Sequence, residues 1–443
     1  MGYLVNGGPA ADRWCLHPDS KRVVVSRALR TFGFGCVSVL LATRLSSAGC
    51  SAAEIGVLIA VACAGSVAGT VVMALFADRM GRRLALVVSA LLMAAAGGVF
   101  AVSDSYPLLL AAAFLGTVSP STNDNTPFSG VEQAILAHHS PAAARTRVFT
   151  IYNVTAQVAG ALGALAAAGL AAADGAQAGR HGFVLYGSGA LLAARVIAGM
   201  SAHAEARGRA GTAGARGTVR MPPQGRTLAA LSGLDAFAGG LVVQALLAWW
   251  LHERFDVPVS ALGTLFFGMN LLAAAAQLAA PALTARSGLL VAMLWPHAVS
   301  NVLLLGVAFA PTFPLAAGLL LVRHALSKID VPARQAFTAA IVAPPQRTTV
   351  ASMTAAARGI AVSTSPLAAT ALSIPPLAGA GTPLIAAALL ALLYDALMLR
   401  TYGPAPWGSR HAGAVLSHPL PVDRAATPHG REPAPVSPEG SRR

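Results

Sequence analysis

Twelve long apolar runs constrain the fold of this chain more than any other feature of its sequence. A helix needs about 20 apolar residues to cross the hydrocarbon core of a bilayer, and the runs lack the alternating pattern of a membrane β-barrel. The sequence therefore predicts an all-α membrane protein with about twelve transmembrane helices. The fourth and tenth runs contain Pro120, Pro127 and Pro332, so we expect kinks in both. The runs lie near residues 23–45, 54–76, 84–103, 107–138, 147–173, 182–204, 227–251, 259–282, 288–310, 312–339, 348–374 and 380–401.

The charge content also indicates that the chain is surrounded by lipid. Charged residues are 11% of the chain, whereas soluble domains carry about 25%, and the mean hydropathy is +0.64. So little charge could not cover a water-exposed surface, but lipid tails solvate apolar side chains directly. The net charge of +14 does not indicate nucleic-acid binding, because the arginines lie in short breaks between the apolar runs without interleaved aromatic residues.

The basic residues of these breaks fall mostly on one side of the membrane. With the N-terminus inside, the other side receives only Arg44, Arg180 and Arg254. Cytoplasmic loops are enriched in lysine and arginine, so we predict a multi-pass protein of a bacterial inner (plasma) membrane with both termini cytoplasmic. The basic side receives Arg79, Arg82, Arg83, Arg145, Arg147, Arg207, Arg209, Arg216, Arg220, Arg226, Arg286 and Arg347.

Two segments outside the apolar runs divide the chain. Residues 205–226 are basic and Gly-rich, which indicates a cytoplasmic linker. Residues 402–443 are rich in Pro, Arg, Ser and His, which indicates a disordered cytoplasmic tail. We therefore expect a cytoplasmic N-terminal segment (1–21), an N-terminal six-helix bundle (22–204) and a C-terminal six-helix bundle (227–401).

The two bundles carry traces of an internal repeat. Gln133 and Arg145 in the first bundle recur as Gln335 and Arg347 in the second, and the members of both pairs are 202 residues apart. A nearly constant offset across five helices predicts two pseudo-symmetric six-helix halves, a known plan for transporters with a site near the membrane midplane. Matches with offsets of 205 to 207 residues are Phe32 with Phe237, Gly35 with Gly240, Gly56 with Gly263, and Gly81 with Gly288.

The loop between the second and third runs carries a charged motif, Ala74-Leu-Phe-Ala-Asp78-Arg79-Met80-Gly81-Arg82-Arg83. Gly81 permits a tight turn between antiparallel helices, and the arginines suit the cytoplasmic headgroups. The motif resembles the signature loop of the major facilitator superfamily, Gly-x-x-x-Asp-Arg-x-Gly-Arg-Arg, with Ala74 in place of the first glycine. The second half has Ala285-Arg286-Ser287-Gly288 at the matching place, which lacks the acid.

The resemblance covers about residues 22–401 and implies the fold of that superfamily. It implies that Asp78 reaches the N-terminus of helix 11 near Thr348 and Thr349, where the helix dipole is positive. This contact would join the two halves on the inside and favour the outward-open state. The alternative is that the loop serves only as a topology signal. The resemblance also implies that helices 1, 4, 7 and 10 line a central cavity.

Ionisable residues inside the runs are candidates for a transport pathway, because a charge in hydrocarbon costs several kcal/mol unless it is paired or hydrated. A short carboxylate cannot reach the headgroups from mid-helix, which makes Asp235 the first candidate for proton coupling. It stands at the repeat equivalent of Arg30. Glu132 is a weaker candidate, since it could already lie in the inner interface. The remaining carboxylate candidates are Asp330 and Asp124.

Arginines and amides in the same runs are candidates for substrate contacts or charge pairs. Arg30 could instead snorkel to the headgroups, Arg334 could form a local i,i+4 salt bridge with Asp330, and Gln244 could bond between helices. We expect Asp235 to pair with Arg30 and Asp330 with Arg358. Asp395 is expected near the inner interface. The full set of these candidates is Arg30, Arg358, Arg334, Gln244 and Asn125.

These features predict a secondary active transporter that moves a small solute by alternating access. A buried carboxylate would couple the movement to protons, because burial favours the protonated acid and a nearby arginine favours the carboxylate. Small organic solutes are the default, an anion would suit Arg30 and Arg358, and export is slightly favoured over import. The alternative is a non-transporting membrane sensor or receptor on the same scaffold, which would need a folded soluble output domain.

The sequence does not predict an enzyme, since it has no nucleophile elbow and no His/Glu metal set. No cofactor and no metal are predicted. The expected partners are the solute, protons and the lipid bilayer, without nucleic acid. The chain is expected to act as a monomer.

Overall fold

The computed structural model describes residues 17–116, 118–119, 128–140, 142–201, 223–330, 333–334, 337, 347–372 and 381–403, and all regular structure within these ranges is helical. A 3₁₀ turn at Gly175–Gln177 joins the sixth helix to the seventh. The α-helices of the described chain are α1 (Pro18–Ser47), α2 (Ala52–Met80), α3 (Arg82–Val102), α4 (Tyr106–Leu115), α5 (Phe128–His138), α6 (Ala142–Asp174), α7 (Ala178–Ala198), α8 (Pro223–Gly240), α9 (Gln244–Phe255), α10 (Val259–Ser287), α11 (Leu289–Ala308), α12 (Phe313–Ser327), α13 (Arg347–Ala371) and α14 (Thr382–Tyr402).

The predicted all-α membrane fold is confirmed. Eight helical stretches of the described chain are long and apolar enough to cross a membrane, and one of them, Val148–Ala198, contains most of α6 and all of α7. The shorter apolar helices Tyr106–Leu115 and Phe313–Ser327 fall in the fourth and tenth predicted runs. The predicted runs and the helices of the described chain therefore follow the same order.

Two predicted runs are not continuous helices. The seventh, predicted at 227–251, consists of α8 and α9, because the paired glycines Gly239 and Gly240 let α8 end in a tight turn at residues 241–243. The fourth, predicted at 107–138, consists of α4 and α5. The three prolines at which we expected kinks lie outside the described residues.

Two glycine turns mark repeat-related positions. Gly81 separates α2 from α3 at φ 94°, and Gly288 separates α10 from α11 at φ 78°. Residues with a Cβ rarely adopt positive φ, so glycine is the residue that allows one membrane helix to reverse into the next within a single position. The predicted tight turn at Gly81 is confirmed. We call the end of the bundle that carries these two turns the Gly81 end.

Helix packing follows the same pattern in both halves. In the first half α1 packs against α6 and α7, and α7 packs against α3. In the second half α8 packs against α13 and α14, and α14 packs against α11. These pairs correspond to each other under the predicted repeat, so the two pseudo-symmetric halves are visible in the packing as well as in the sequence. The halves meet where α6 lies against α10 and α2 lies against α13.

Glycine allows close helix contact between α1 and α6 in the first half. A Cβ added at Gly35 on α1 would lie 2.0 Å from the carbonyl oxygen of Gly160 on α6, and one at Gly163 would lie 2.0 Å from that of Phe32. Such distances leave no room for any side chain, so α1 and α6 pack backbone against backbone.

The three largest clusters of buried apolar side chains are one shared cluster and two separate ones. The shared cluster lies away from the Gly81 end and contains residues of both halves, for example Leu45, Ile55 and Leu384. At the Gly81 end, one cluster around Leu86 belongs to the first half and another around Met293 belongs to the second. Among the described side chains, the apolar cores of the halves are therefore joined at one end of the bundle and separate at the other.

Candidate functional site

A buried charge network holds α1 to α5 and α6 in the first half. Glu132 accepts hydrogen bonds from Arg30 NH2 and from the Tyr152 hydroxyl, both at 2.8 Å. Arg27 donates to the Tyr152 hydroxyl at 2.5 Å, and the Arg30 guanidinium carbon lies 3.8 Å from the centre of the Phe128 ring. All five side chains are buried. The carboxylate therefore receives charge-assisted and neutral hydrogen bonds in a site closed to solvent.

This network overturns two expectations about Arg30. The predicted Asp235–Arg30 pair is wrong, because each residue meets a charged partner inside its own half. Arg30 also does not snorkel to the headgroups, since its side chain is 1% exposed and bonded to Glu132. The Glu132 side chain is fully buried in the protein, and its depth relative to the inner interface stays a prediction.

The second half carries a larger network around Asp235 on α8. Its Oδ2 accepts a hydrogen bond from Arg358 NH1 on α13 at 2.9 Å and another from Arg334. Arg334 also donates to Asp330, so the predicted i,i+4 salt bridge is confirmed. The predicted Asp330–Arg358 pair is wrong, because Arg358 reaches across to α8 and contacts Asp235 instead.

His297 on α11 extends this network to Asp395 on α14. The imidazole Nε2 lies 3.3 Å from Asp235 Oδ1, and Nδ1 lies 2.8 Å from Asp395 Oδ1. Asp395 is buried in this network, and its position near the inner interface stays a prediction. Sequence reasoning missed His297, although His297, Ser300 and Asn301 form a polar face at i, i+3 and i+4 in an otherwise apolar run.

The geometry around His297 suits a proton that is shared. A neutral imidazole has a single N–H, whereas both ring nitrogens of His297 face carboxylate oxygens. One added proton therefore lets His297 donate one N–H to Asp235 and the other N–H to Asp395 at the same time. If that proton lies on Asp235, the attraction between this carboxyl group and both arginines is lost. The cluster can thus connect proton binding to the position of a cationic side chain.

The two networks occupy equivalent positions with opposite signs. Arg30 and Asp235 are 205 residues apart, and Glu132 and Arg334 are 202 residues apart, as the repeat offsets require. Solvent access differs between the halves. The side chains of Arg30 and Glu132 are 1% and 0% exposed, whereas those of Arg334 and Arg358 are 21% and 34% exposed.

The remaining candidates lie apart from these networks. Gln244 donates to the Ser38 hydroxyl at 2.9 Å, which confirms the interpretation of an interhelix bond and makes it a bridge between the halves. In the motif loop, Arg83 donates to the Met200 carbonyl at 3.2 Å, Arg79 is exposed and Arg82 is half-buried. Outside the part of the chain that the structure describes lie Asp124, Asn125 and the side chains of Asp78, Thr348 and Thr349.

A His/Asp group at the start of α1 is the metal-like cluster of the described residues. Ligand atoms of His17, Asp19 and His139 lie within 4.8 Å of one another. The two imidazole rings are stacked, with centroids 4.1 Å apart and 16° between their planes. The lone pairs of stacked rings run side by side and do not converge on one ion, and Asp19 already accepts hydrogen bonds from Arg22 and Ser201. We therefore assign this group to helix capping and packing.

Comparison with known proteins agrees with the fold. A family model described as Major Facilitator Superfamily matches residues 23–234. An uncharacterized membrane protein of Saccharomyces cerevisiae, YJR124C, is 26% identical over 375 residues, which cover 76% of this chain and 84% of that protein.

Solved transporter structures share the fold over most of the chain. The nucleoside transporter NupG superposes with a TM-score of 0.69 at 11% identity, covering 85% of this chain and 97% of that one. A D-xylose-proton symporter superposes with a TM-score of 0.65 at 14% identity, covering 87% and 98%. The family model matches the first half of the chain and the solved structures share the fold of the whole chain, so the chain is a multi-pass membrane protein with the major facilitator superfamily fold.

Proposed function

We propose that the chain is a secondary active transporter that moves a small solute by alternating access, coupled to protons through Asp235. The observation that carries this proposal is the network of Asp235, His297, Arg334 and Arg358 inside apolar helices, with two arginines partly open to solvent. Charged groups at membrane depth are costly and mark solute or ion pathways. A sealed structural salt bridge would need neither the shared proton nor the solvent access.

The coupling step follows from competition for Asp235. In the deprotonated state its Oδ2 holds both Arg334 and Arg358. When a proton arrives from His297, Arg334 keeps its second partner Asp330, whereas Arg358 loses its only carboxylate contact among the described residues. The proton therefore releases one cation at a surface that solvent reaches. Release and return of that cation, once per cycle, would connect proton binding to solute binding.

The apolar clusters support alternating access. The halves share a core at one end and pack separately at the Gly81 end. On the predicted topology the Gly81 end is cytoplasmic, so the separate clusters of described residues at this end would suit a conformation open to the inside. Rocking of the halves about the shared core would close the Gly81 end and open the other.

The test is flux in liposomes. Purified protein would be reconstituted with a pH-sensitive dye inside, and the internal pH recorded while a panel of small solutes is added outside or preloaded inside. We expect a solute gradient to move protons in the wild type, and Asp235→Asn to abolish that movement while expression and insertion remain. Asp256→Asn is the matched control, because Asp256 is exposed at the end of α9 with φ 50°, a conformation that asparagine tolerates.

Two outcomes would contradict the proposal. Normal proton-coupled flux in Asp235→Asn would remove this carboxylate from the mechanism. Absence of flux for every solute, in both directions, with protein that is folded and inserted, would favour a sensor or receptor on the same scaffold.

A further inference from the structure

A surplus of cationic groups surrounds Arg358. Arg323 and Lys328, on and just after α12, are both half-buried. Lys328 lies within electrostatic reach of one carboxylate, Asp330, and of three cations, Arg323, Arg334 and Arg358. Arg323 stands one turn beyond the buried Leu320, on the buried face of α12. Its Nε is buried and has no hydrogen-bond partner among the described residues.

The carboxylates near these cations are already in use. Asp330 accepts from Arg334, and Asp235 accepts from Arg334 and Arg358. Asp395 is occupied by His297 on the far side of the network. Within the described residues, no carboxylate lies within ion-pair distance of Arg323 or Lys328. Four cationic side chains therefore share two carboxylates in this part of the second half, whichever protonation state His297 adopts.

Among the described residues, the first half does not correct the imbalance. Glu132 is fully buried between Arg30 and Tyr152, so it faces its own helices and no solvent-accessible surface. Within the described part of the chain, the cations of the second half therefore lack a matching counter-charge. Uncompensated cations at membrane depth cost several kcal/mol, and a bound anion would remove that cost.

We infer that the transported solute is a small organic anion whose oxyanion group binds between Arg358 and Lys328. This inference rests on the proposed function and names its substrate class. An arginine fork matches the two oxygens of a carboxylate or phosphate, and a lysine adds a compact charge with three donors. Arg358 is suited to this role because its side chain is 34% exposed.

Asp235 and the solute compete for the same guanidinium. Arg358 NH1 bonds Asp235 Oδ2 at 2.9 Å in the solute-free chain. A proton that moves from His297 Nε2 to Asp235 Oδ1 cancels the charge of this carboxylate, and the solute oxyanion then takes its place beside Arg358. No covalent bond of the solute forms or breaks. Proton and anion bind together, and each favours the binding of the other.

Charged thiol reagents test the inference without knowledge of the solute. Ala355 is exposed on α13 and lies three residues before Arg358, on the same face of the helix. In a chain whose four cysteines are replaced by serine, Ala355→Cys would be treated with an anionic sulfonatoethyl and a cationic trimethylammonioethyl methanethiosulfonate. We expect the anionic-to-cationic rate ratio to exceed that of a free small thiol by about tenfold, and to fall when Lys328→Gln is added.

Two further cysteine variants make the result decisive. Asn153→Cys is the matched control, because Asn153 is exposed at the repeat-equivalent position on α6, 202 residues earlier. Its rate ratio should be closer to that of the free thiol. Ser327→Cys, a near-isosteric change beside Lys328, repeats the measurement if Ala355→Cys does not fold. A rate ratio equal to or below that of the free thiol, in Ala355→Cys or in its substitute Ser327→Cys, would overturn the inference.

Liposome flux separates this inference from the proposed function. Carboxylates, phosphate esters and sulfonates would be compared with their neutral amide or alcohol analogues. We expect the transported members to be anions, and Lys328→Gln to slow them. Transport of a neutral solute with a low thiol ratio would overturn the anion inference and keep the transporter. A high thiol ratio without flux of any solute would support the anion-binding surface and overturn the transporter.

Discussion

The two halves place charged residues at equivalent positions and use them differently. In the first half Arg30 and Glu132 are buried among aromatic side chains, and Glu132 also accepts a hydrogen bond from the Tyr152 hydroxyl. In the second half Asp235 and Arg334 occupy the same positions with reversed signs and are joined by His297 and by the partly exposed Arg358. A buried pair without solvent access holds helices together, whereas a shared and accessible cluster can change its pairing.

The two networks differ in what the arginines can contact when their carboxylate is lost. If Glu132 were lost, Arg30 would be left almost fully buried without a counter-charge. If Asp235 were lost, Arg334 would keep Asp330, and Arg358 could be hydrated. We therefore expect the first network to govern stability and the second to govern transport.

The largest expected effect is the loss of stability in Glu132→Gln. Removing one partner of a buried ion pair costs about 3–5 kcal/mol, because the remaining charge stays desolvated. The thermal unfolding midpoint in detergent should fall strongly, whereas Asp235→Asn should lower it much less. A fall of similar size in both variants would break the comparison.

A double variant supplies the control for Glu132. Replacing both Glu132 and Arg30 with leucine removes the closer buried ion pair, and such replacements are often neutral or stabilising. Arg27, whose NH1 lies 3.9 Å from Glu132 Oε2, keeps its hydrogen bond to the Tyr152 hydroxyl. We expect the double variant to recover much of the midpoint lost in Glu132→Gln. If it does not recover, the packing of this site, and not the uncompensated charge, determines stability.

The next effect concerns His297 in the second half. His297→Gln keeps a side chain that can donate hydrogen bonds but cannot hold an added proton. We expect proton-coupled flux in liposomes to fall about a hundredfold, as when a positioned acid–base group is removed, with little change in the thermal midpoint. Unchanged coupled flux would show that Asp235 exchanges its proton by another route.

A smaller effect is expected for the bond that bridges the halves. Gln244→Ala removes the hydrogen bond to Ser38, worth about 1 kcal/mol, which is about fivefold in the ratio of the two conformations. Spin labels at the exposed Val102 and Phe309 would report the separation of the halves. Thr264→Ala is the control, since that hydroxyl bonds only within α10. If Thr264→Ala changed the distance between the two spin labels more than Gln244→Ala does, the hydrogen bond between Gln244 and Ser38 would not be what holds the halves together at the end that carries the labels.

The smallest effect belongs to a charge group outside the spans. Asp104 accepts from Arg44 at 2.6 Å and from Arg180 at 2.7 Å, and the hydrogen bond from Arg44 holds the pKa of Asp104 below its ordinary value. A lowered pKa contributes stability above about pH 4, the unfolded value, which is lost as the pH falls through the folded value. Asp104→Asn should remove this acid-dependent part of the thermal midpoint. An identical pH profile in the variant would show that the contact contributes nothing.

Apolar runs, the charge bias and the Gly81 motif predicted the fold, because a bilayer permits few backbone solutions for such a pattern. Within the site, only the Asp330–Arg334 salt bridge followed from spacing, since i,i+4 residues meet on any helix. The partners of Asp235 lie on segments that are distant in sequence, and helix rotation decides which side chains meet. The break at residues 241–243 was missed because paired glycines are also common in unbroken membrane helices.

If the halves rock as proposed, the shared apolar cluster at one end of the bundle has a consequence for turnover. Separating the residues of this cluster exposes apolar surface, which costs a free energy of about 25 cal/mol for each Å² exposed. The residues at the Gly81 end must therefore bury a comparable apolar area when the halves meet there. The two conformations would then each be closed by an apolar contact of similar free energy, one at each end of the bundle. Enlarging apolar side chains in one of these contacts alone would favour one conformation over the other. The cycle would then slow although no charged residue is changed.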